Sequence, residues 1–207
     1  MEEKRLSEKE SLELISRMIQ TTRENMQVGS GNQFLYWGYF TAALSVILFM
    51  LVYYTGDSRW SLGWFGMFLF WFYMRWMERK NESAVITYAD RAIMQVWLVI
   101  GSLFILTVLV MFALSFYYGG VDFSLMLLSL LYAGIGVSIT GVIIRSRLVT
   151  WSPLVAFCFA IYMLMVFTIH RAVTIDWYLY FGLSFVVMMV VPGHYINRKA
   201  KESCSKN

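Results

Sequence analysis

Six apolar stretches, at residues 34–54, 60–76, 95–117, 123–144, 151–169 and 177–195, are joined by short connections, and fifteen of the seventeen Lys and Arg residues fall in alternate connections. A helix rises about 1.5 Å per residue, so about 20 residues cross a hydrocarbon core about 30 Å thick. Five basic residues precede the first stretch, four (Arg75, Arg79, Lys80 and Arg91) run from the last turn of the second stretch to the third, two separate the fourth from the fifth, and four follow the sixth. The other three connections hold one, none and one. Short basic flanks stay on the cytoplasmic side. The pattern therefore predicts an all-α polytopic bundle of six transmembrane helices in three hairpins, with both termini in the cytoplasm.

With 59% hydrophobic and 14% charged residues, the chain has too little polar surface to coat a water-soluble globule. Its basic residues sit at the ends of the apolar stretches and form no dense cluster with interleaved aromatics, which argues against nucleic acid and for membrane lipid as the partner of those charges. Three regions follow: an arm and linker over residues 1–32, a six-span domain over 33–196, and a basic cytoplasmic tail over 197–207. No basic n-region or small-residue cleavage site precedes the first stretch, which reads as a retained span.

Within the arm, Leu12, Ile15, Met18, Ile19, Thr22 and Met26 fall within a third of a helical wheel. Ser7 and Glu10 have capping-box spacing, and Gly29-Ser30-Gly31-Asn32 reads as a flexible stop. This predicts an amphipathic helix over about residues 8–27. Its charges balance from Arg5 to Glu24, which favours protein contact over anionic lipid. Leu12, Ile15, Ile19 and Met26 are its candidate partner-binding residues. The stripe serves either the cytoplasmic ends of its own bundle or a protein partner or second copy of the chain.

Loop two, from Met77 to Met94, reads as a break at Asn81-Glu82-Ser83 followed by a helix from Ala84 that extends the third span into the cytoplasm. Asp57, Asp122 and Asp176 each stand just before a span on the external side and read as helix N-caps. On the second helix, Trp60, Trp64, Met67, Phe68 and Trp71 line up at α-helical spacing. Trp60, Trp64, Phe68 and Trp71 form a candidate wall for a planar hydrophobic ligand, or else ordinary packing. On the fourth helix, Ser129, Gly136 and Thr140 share one face, and Gly134, Ser138 and Gly141 share the other. Small residues on both faces suit a helix in the middle of a bundle, whether as interhelical packing or as a cavity lining.

No Asp, Glu, Lys or Arg lies deep in any stretch, which weakens ion-coupled transport. Cys158 falls mid-span and Cys204 in the tail, so no disulfide is expected. His170 and His194 end successive spans on opposite sides, too far apart to share a metal or haem. Pro192-Gly193 should kink or end the sixth helix. No metal spacing, nucleophile with its base or pair of catalytic carboxylates is present, so the sequence offers no catalytic residue, no metal and no cofactor.

At Ile139-Thr140-Gly141-Val142-Ile143-Ile144-Arg145, at Pro192-Gly193-His194-Tyr195-Ile196-Asn197-Arg198-Lys199-Ala200-Lys201 and at Ser11-Leu12-Glu13-Leu14-Ile15, the chain resembles a group of bacterial six-helix membrane proteins of unassigned function. The resemblance covers most of the chain. It implies a bacterial inner membrane and carries over no activity or ligand residue. The expected role is a non-enzymatic interaction, sensory or regulatory accessory module working through the N-terminal helix. The alternative is a carrier or channel for a neutral or hydrophobic small molecule.

Overall fold

The computed structural model describes residues 8–80, 88–118, 125–170 and 173–204, with the backbone alone at 8–30, 78–80, 200, 203 and 204. The described residues are helical apart from short turns. In chain order the elements are α1 (Glu8–Thr55), a 3₁₀ segment (Ser58–Phe65), α2 (Gly66–Lys80), α3 (Tyr88–Tyr118), α4 (Leu125–Ile143), α5 (Arg147–Trp151), α6 (Leu154–His170), α7 (Trp177–Phe185), a π-helical segment (Val186–Val190) and α8 (Val191–Cys204). Five helical stretches are long and apolar enough to cross a membrane: Gly31–Thr55, Tyr88–Tyr118, Leu125–Ile143, Arg147–His170 and Trp177–Lys199. They mark the chain as a membrane protein with a helical bundle.

The arm and the first span are one helix. α1 runs 48 residues, about 72 Å, through Gly29-Ser30-Gly31-Asn32 without a break, so the stop expected there is absent. Gly31 and Asn32 are contact residues instead. Gly31 is buried against Asn197 and the Gly193 carbonyl, and Asn197 donates from Nδ2 to Asn32 Oδ1 at 2.8 Å.

The segment expected as a second α-helical span is divided, because residues 58–65 wind as a 3₁₀ helix before α2 begins. Three residues per turn place positions three apart in one row. Gly63 and Gly66 form the row that meets Leu48 and Leu44 of α1. Ser61, Trp64 and Met67 form a second row: Ser61 reaches Tyr178, Trp64 packs on Tyr178 and Phe181, and Thr41 donates to Met67 Sδ at 3.7 Å. Leu62, Phe65 and Phe68 form the third row and face outward. Asp57 caps this segment as expected, accepting from the Arg59 N–H at 2.9 Å. The 3₁₀ segment and α2 together rise about 38 Å.

α2 returns antiparallel to α1, with Phe70 stacked on Phe40 and edge-on to Trp37. α4 returns along α3, where Tyr132 bonds Thr107 and Gly136 meets Trp97 and Ile100. The last helix, α7 through α8, returns along α6, where Tyr180 stacks on Phe159. This last helix also lies along α1 and buries more of itself than any other span. It is the centre of the bundle, more so than the α4 that small residues had suggested. Pro192-Gly193 does not end it, since helical turns continue to Cys204.

The start of the last span is anchored in the bundle. Trp177 is fully buried against Leu127 and Met163. Asp176 is itself helical in backbone conformation and makes no side-chain cap, unlike Asp57. Asp122 and residues 84–87 lie outside the described residues, whose third helix begins at Tyr88.

α4 ends in a Schellman turn: Ser146 N–H bonds the Gly141 carbonyl at 3.0 Å and Arg145 N–H bonds that of Val142 at 3.1 Å. This motif needs a left-handed residue, and Arg145 supplies it at φ 55°. Glycine normally fills the position without the Cβ clash, which costs about 1–2 kcal/mol. Arg145→Gly is therefore expected to raise stability by up to about 1 kcal/mol, read as a higher thermal midpoint in detergent. An unchanged or lowered midpoint would show that the guanidinium makes contacts that offset the strain.

Candidate functional site

The most developed arrangement in the molecule is the seam between α1 and the last helix. The buried residues of α1 within its span are Gly31, Phe34, Gly38, Thr41, Ser45 and Leu48, a strict alternation of three and four. That spacing averages 3.5 residues and defines a left-handed seam. Four of the six, Gly31, Gly38, Thr41 and Ser45, have small or absent side chains, so the backbones come close. An alanine Cβ at Gly38 would lie 2.7 Å from Val190 Cγ2 and 3.1 Å from Met189 Cβ. On the facing helix, a Cβ at Gly182 would lie 2.9 Å from Ser45 Oγ, and one at Gly193 2.9 Å from Leu35 Cδ2. Lipid offers no hydrophobic drive for helix association, so this close approach is what holds the pair together.

Polar groups fasten both ends of the seam. Toward the chain's outer turns, Ser45 donates to the Tyr178 carbonyl, and Ser61 bonds the Tyr178 hydroxyl at 2.6 Å. Trp64 lies parallel to the Tyr178 ring and edge-on to Phe181, with centroids 6.1 and 4.8 Å away. Toward the basic tail, the Tyr39 hydroxyl meets His194 Nε2 at 2.7 Å, beside the Asn32–Asn197 bond.

The four candidate wall residues separate. Trp64 turns inward onto the last helix, whereas Trp60, Phe68 and Trp71 are 43%, 39% and 46% exposed on the outside of the bundle. In a 3₁₀ helix, positions 60 and 64 differ by about 120° instead of the 40° of an α-helix, which divides the expected stripe. The Trp64 indole N–H is buried with no acceptor among the described residues, and so is that of Trp177. Trp64 faces α7, while Trp177 packs toward α4 and α6.

On α4 the small residues meet neighbours on two sides. Gly134 approaches Phe157 of α6, Gly136 approaches α3, and Gly141 sits directly against the backbone of Val149 and Thr150 in α5. The hydroxyls turn back onto their own helix: Ser129 donates to the Met126 carbonyl at 2.9 Å and Thr140 to that of Gly136 at 2.8 Å. Such back-bonding satisfies the hydroxyl locally. Ser138 is half-buried between these contacts.

Leu12, Ile15, Ile19 and Met26 belong to the arm portion of α1, for which the backbone path alone is described. His170 ends α6 and His194 lies in α8 at the opposite end of the bundle. Cys158 is free and faces outward. Among the described residues, no three His, Cys, Asp or Glu side chains gather as a metal site would require.

Sequence reasoning passed over the seam, although its three-four spacing of buried and small residues is present in the chain. The inward contacts of Ser61 and Trp64 had a signal as well, in the three-residue spacing of Gly63 and Gly66. No family model matches the chain, and no curated protein or solved structure matches it.

Proposed function

We propose that this chain is a six-span protein of a bacterial inner membrane, with both termini cytoplasmic, that works as an interaction module of sensory or regulatory type through its N-terminal helix. The 3₁₀ segment and α2 supply the sixth crossing, since their combined rise exceeds the hydrocarbon thickness. The three antiparallel pairs are then the three transmembrane hairpins.

The observation that carries the reading is the continuity of α1. Residues 8–30 extend the first span as helix for roughly 35 Å, and the same helix forms the seam with the last span. At 100° per residue, positions 12, 15, 19, 22 and 26 share a face turned on average about 90° from that of the seam positions that begin at Gly31, so the two stripes call for different neighbours. A load on the arm is borne by the seam with no flexible joint between them.

Ile19→Asp is expected to abolish association while leaving the thermal midpoint of the bundle within about 1 °C, because an arm surface contributes little to the membrane core. Size-exclusion chromatography with light scattering reads the association, and retention of the wild-type stoichiometry would count against the arm. A second reading, a carrier for a small hydrophobic molecule, draws on the buried, unaccepted indole N–H of Trp64, which would suit a carbonyl oxygen. Trp64→Phe removes that donor and keeps the ring. Loss of a bound small molecule on this substitution would favour the carrier.

A further inference from the structure

The chain has two prolines, Pro153 and Pro192, and both are fully buried. Proline has no N–H, so each withholds the hydrogen bond that an α-helix would give to the carbonyl four residues earlier. Those carbonyls belong to Val149 and Met188, two residues with no exposed surface. One side chain reaches both of them. Ser152 Oγ lies 3.2 Å from the Val149 carbonyl and 3.3 Å from the Met188 carbonyl.

A serine hydroxyl carries a single proton and can donate it fully to one acceptor at a time. Donation to Val149 stays within the α5–α6 junction and leaves α6 untied. Donation to Met188 ties that junction to the last helix. Met188 lies within the π-helical turn, where Val191 N–H bonds the Val186 carbonyl five residues back. Such a turn carries one residue more than an α-turn and can pass its extra residue along the helix. The next two residues, Met189 and Val190, are those on which Gly38 of α1 sits, so the setting of this turn is felt across the seam.

We propose that Ser152 is a one-proton latch between two proline-interrupted helices, and that transferring its hydrogen bond between Val149 and Met188 couples or releases the junction of α5 and α6 from the last span. The two prolines compete for the same hydroxyl. Supplying either carbonyl with a backbone N–H must push the proton toward the other.

Hydrogen–deuterium exchange on the full chain in nanodiscs tests this through four single variants and one double variant. Ser152→Ala is expected to speed exchange at the amides of Val186–Val191 about fivefold, as loss of one hydrogen bond of about 1 kcal/mol would. Ser152→Thr, which keeps the hydroxyl, stays near wild type. Pro153→Ala satisfies Val149 from its own helix, frees the proton for Met188, and slows exchange over Val186–Val191. In Pro192→Ala the Met188 carbonyl has its own donor, so adding Ser152→Ala changes nothing further there. Equal effects of Ser152→Ala in the wild-type and Pro192→Ala backgrounds, or no slowing in Pro153→Ala, would overturn the latch. Should Pro192→Ala fail to fold, the pair of Ser152→Thr and Pro153→Ala decides. Exchange in Ser152→Thr as fast as in Ser152→Ala would reduce the residue to packing and remove the proposal.

Discussion

Replacing Gly141 by alanine is expected to lower the thermal midpoint in detergent by roughly 2–12 °C, whereas the same change at Gly101 leaves it level or raises it. At Gly141 the new methyl group would press on the backbone nitrogen and Cα of Thr150 and the carbonyl carbon of Val149. These are backbone atoms of α5, which cannot rotate away as a side chain can. The α4–α5 corner is also pinned by the Schellman turn, whose first acceptor is the Gly141 carbonyl itself. Overpacking of this kind costs about 1–3 kcal/mol and occasionally more. For a chain of this size each kcal/mol moves the midpoint about 2–4 °C. Gly101 in α3 has nothing within 4 Å of the added group, so relief of glycine's helix cost of up to about 1 kcal/mol is the only term. A level or raised midpoint at both positions would show that helix propensity, and not the close crossing, governs the response.

The second large effect is expected at the seam. Gly38→Val places a branched side chain where even a Cβ would crowd Val190 and Met189, with the Val190 backbone nitrogen 3.2 Å away. The cost is again about 1–3 kcal/mol. Its consequence differs, because α1 is displaced from the helix that it must accompany. Cysteines at Asn32 and Asn197, whose side chains now touch, are expected to cross-link under mild oxidation in an otherwise wild-type chain. The same pair in the Gly38→Val background should cross-link severalfold more slowly. Unchanged cross-linking would mean that the Asn32–Asn197 end of the seam holds without close packing at its middle.

Much of this architecture was written in residue patterns, and the errors have a common physical origin. The all-helical bundle and five of the apolar stretches were legible because bilayer thickness leaves few alternatives. Gly29-Ser30-Gly31-Asn32 misled because these residues weaken a helix in water. At a membrane contact the same small residues permit backbone approach, and Gly31 does this against Gly193. Trp60 to Trp71 misled because the wheel assumed 3.6 residues per turn across a segment that winds at three. Gly63 and Gly66, three apart, carried the correct period. Other features had no local signal. Nothing near Ser152 in sequence announces that the carbonyl of Met188 lies beside it, since that meeting is made by the packing of α6 on the last helix.

The arm is where the functional account stands or falls, because α1 carries residues 8–30 and the seam on one helix. Native mass spectrometry of the protein gently extracted from its own membrane, as the full chain and with residues 1–28 deleted, tests this most directly. The account predicts a fixed protein stoichiometry for the full chain, either a second copy or one other protein, that disappears in the shortened chain while the bundle keeps its thermal midpoint. A monomer in both forms, carrying a reproducible non-lipid small molecule that is lost in Trp64→Phe, would contradict it and assign the bundle to binding or carriage of that molecule.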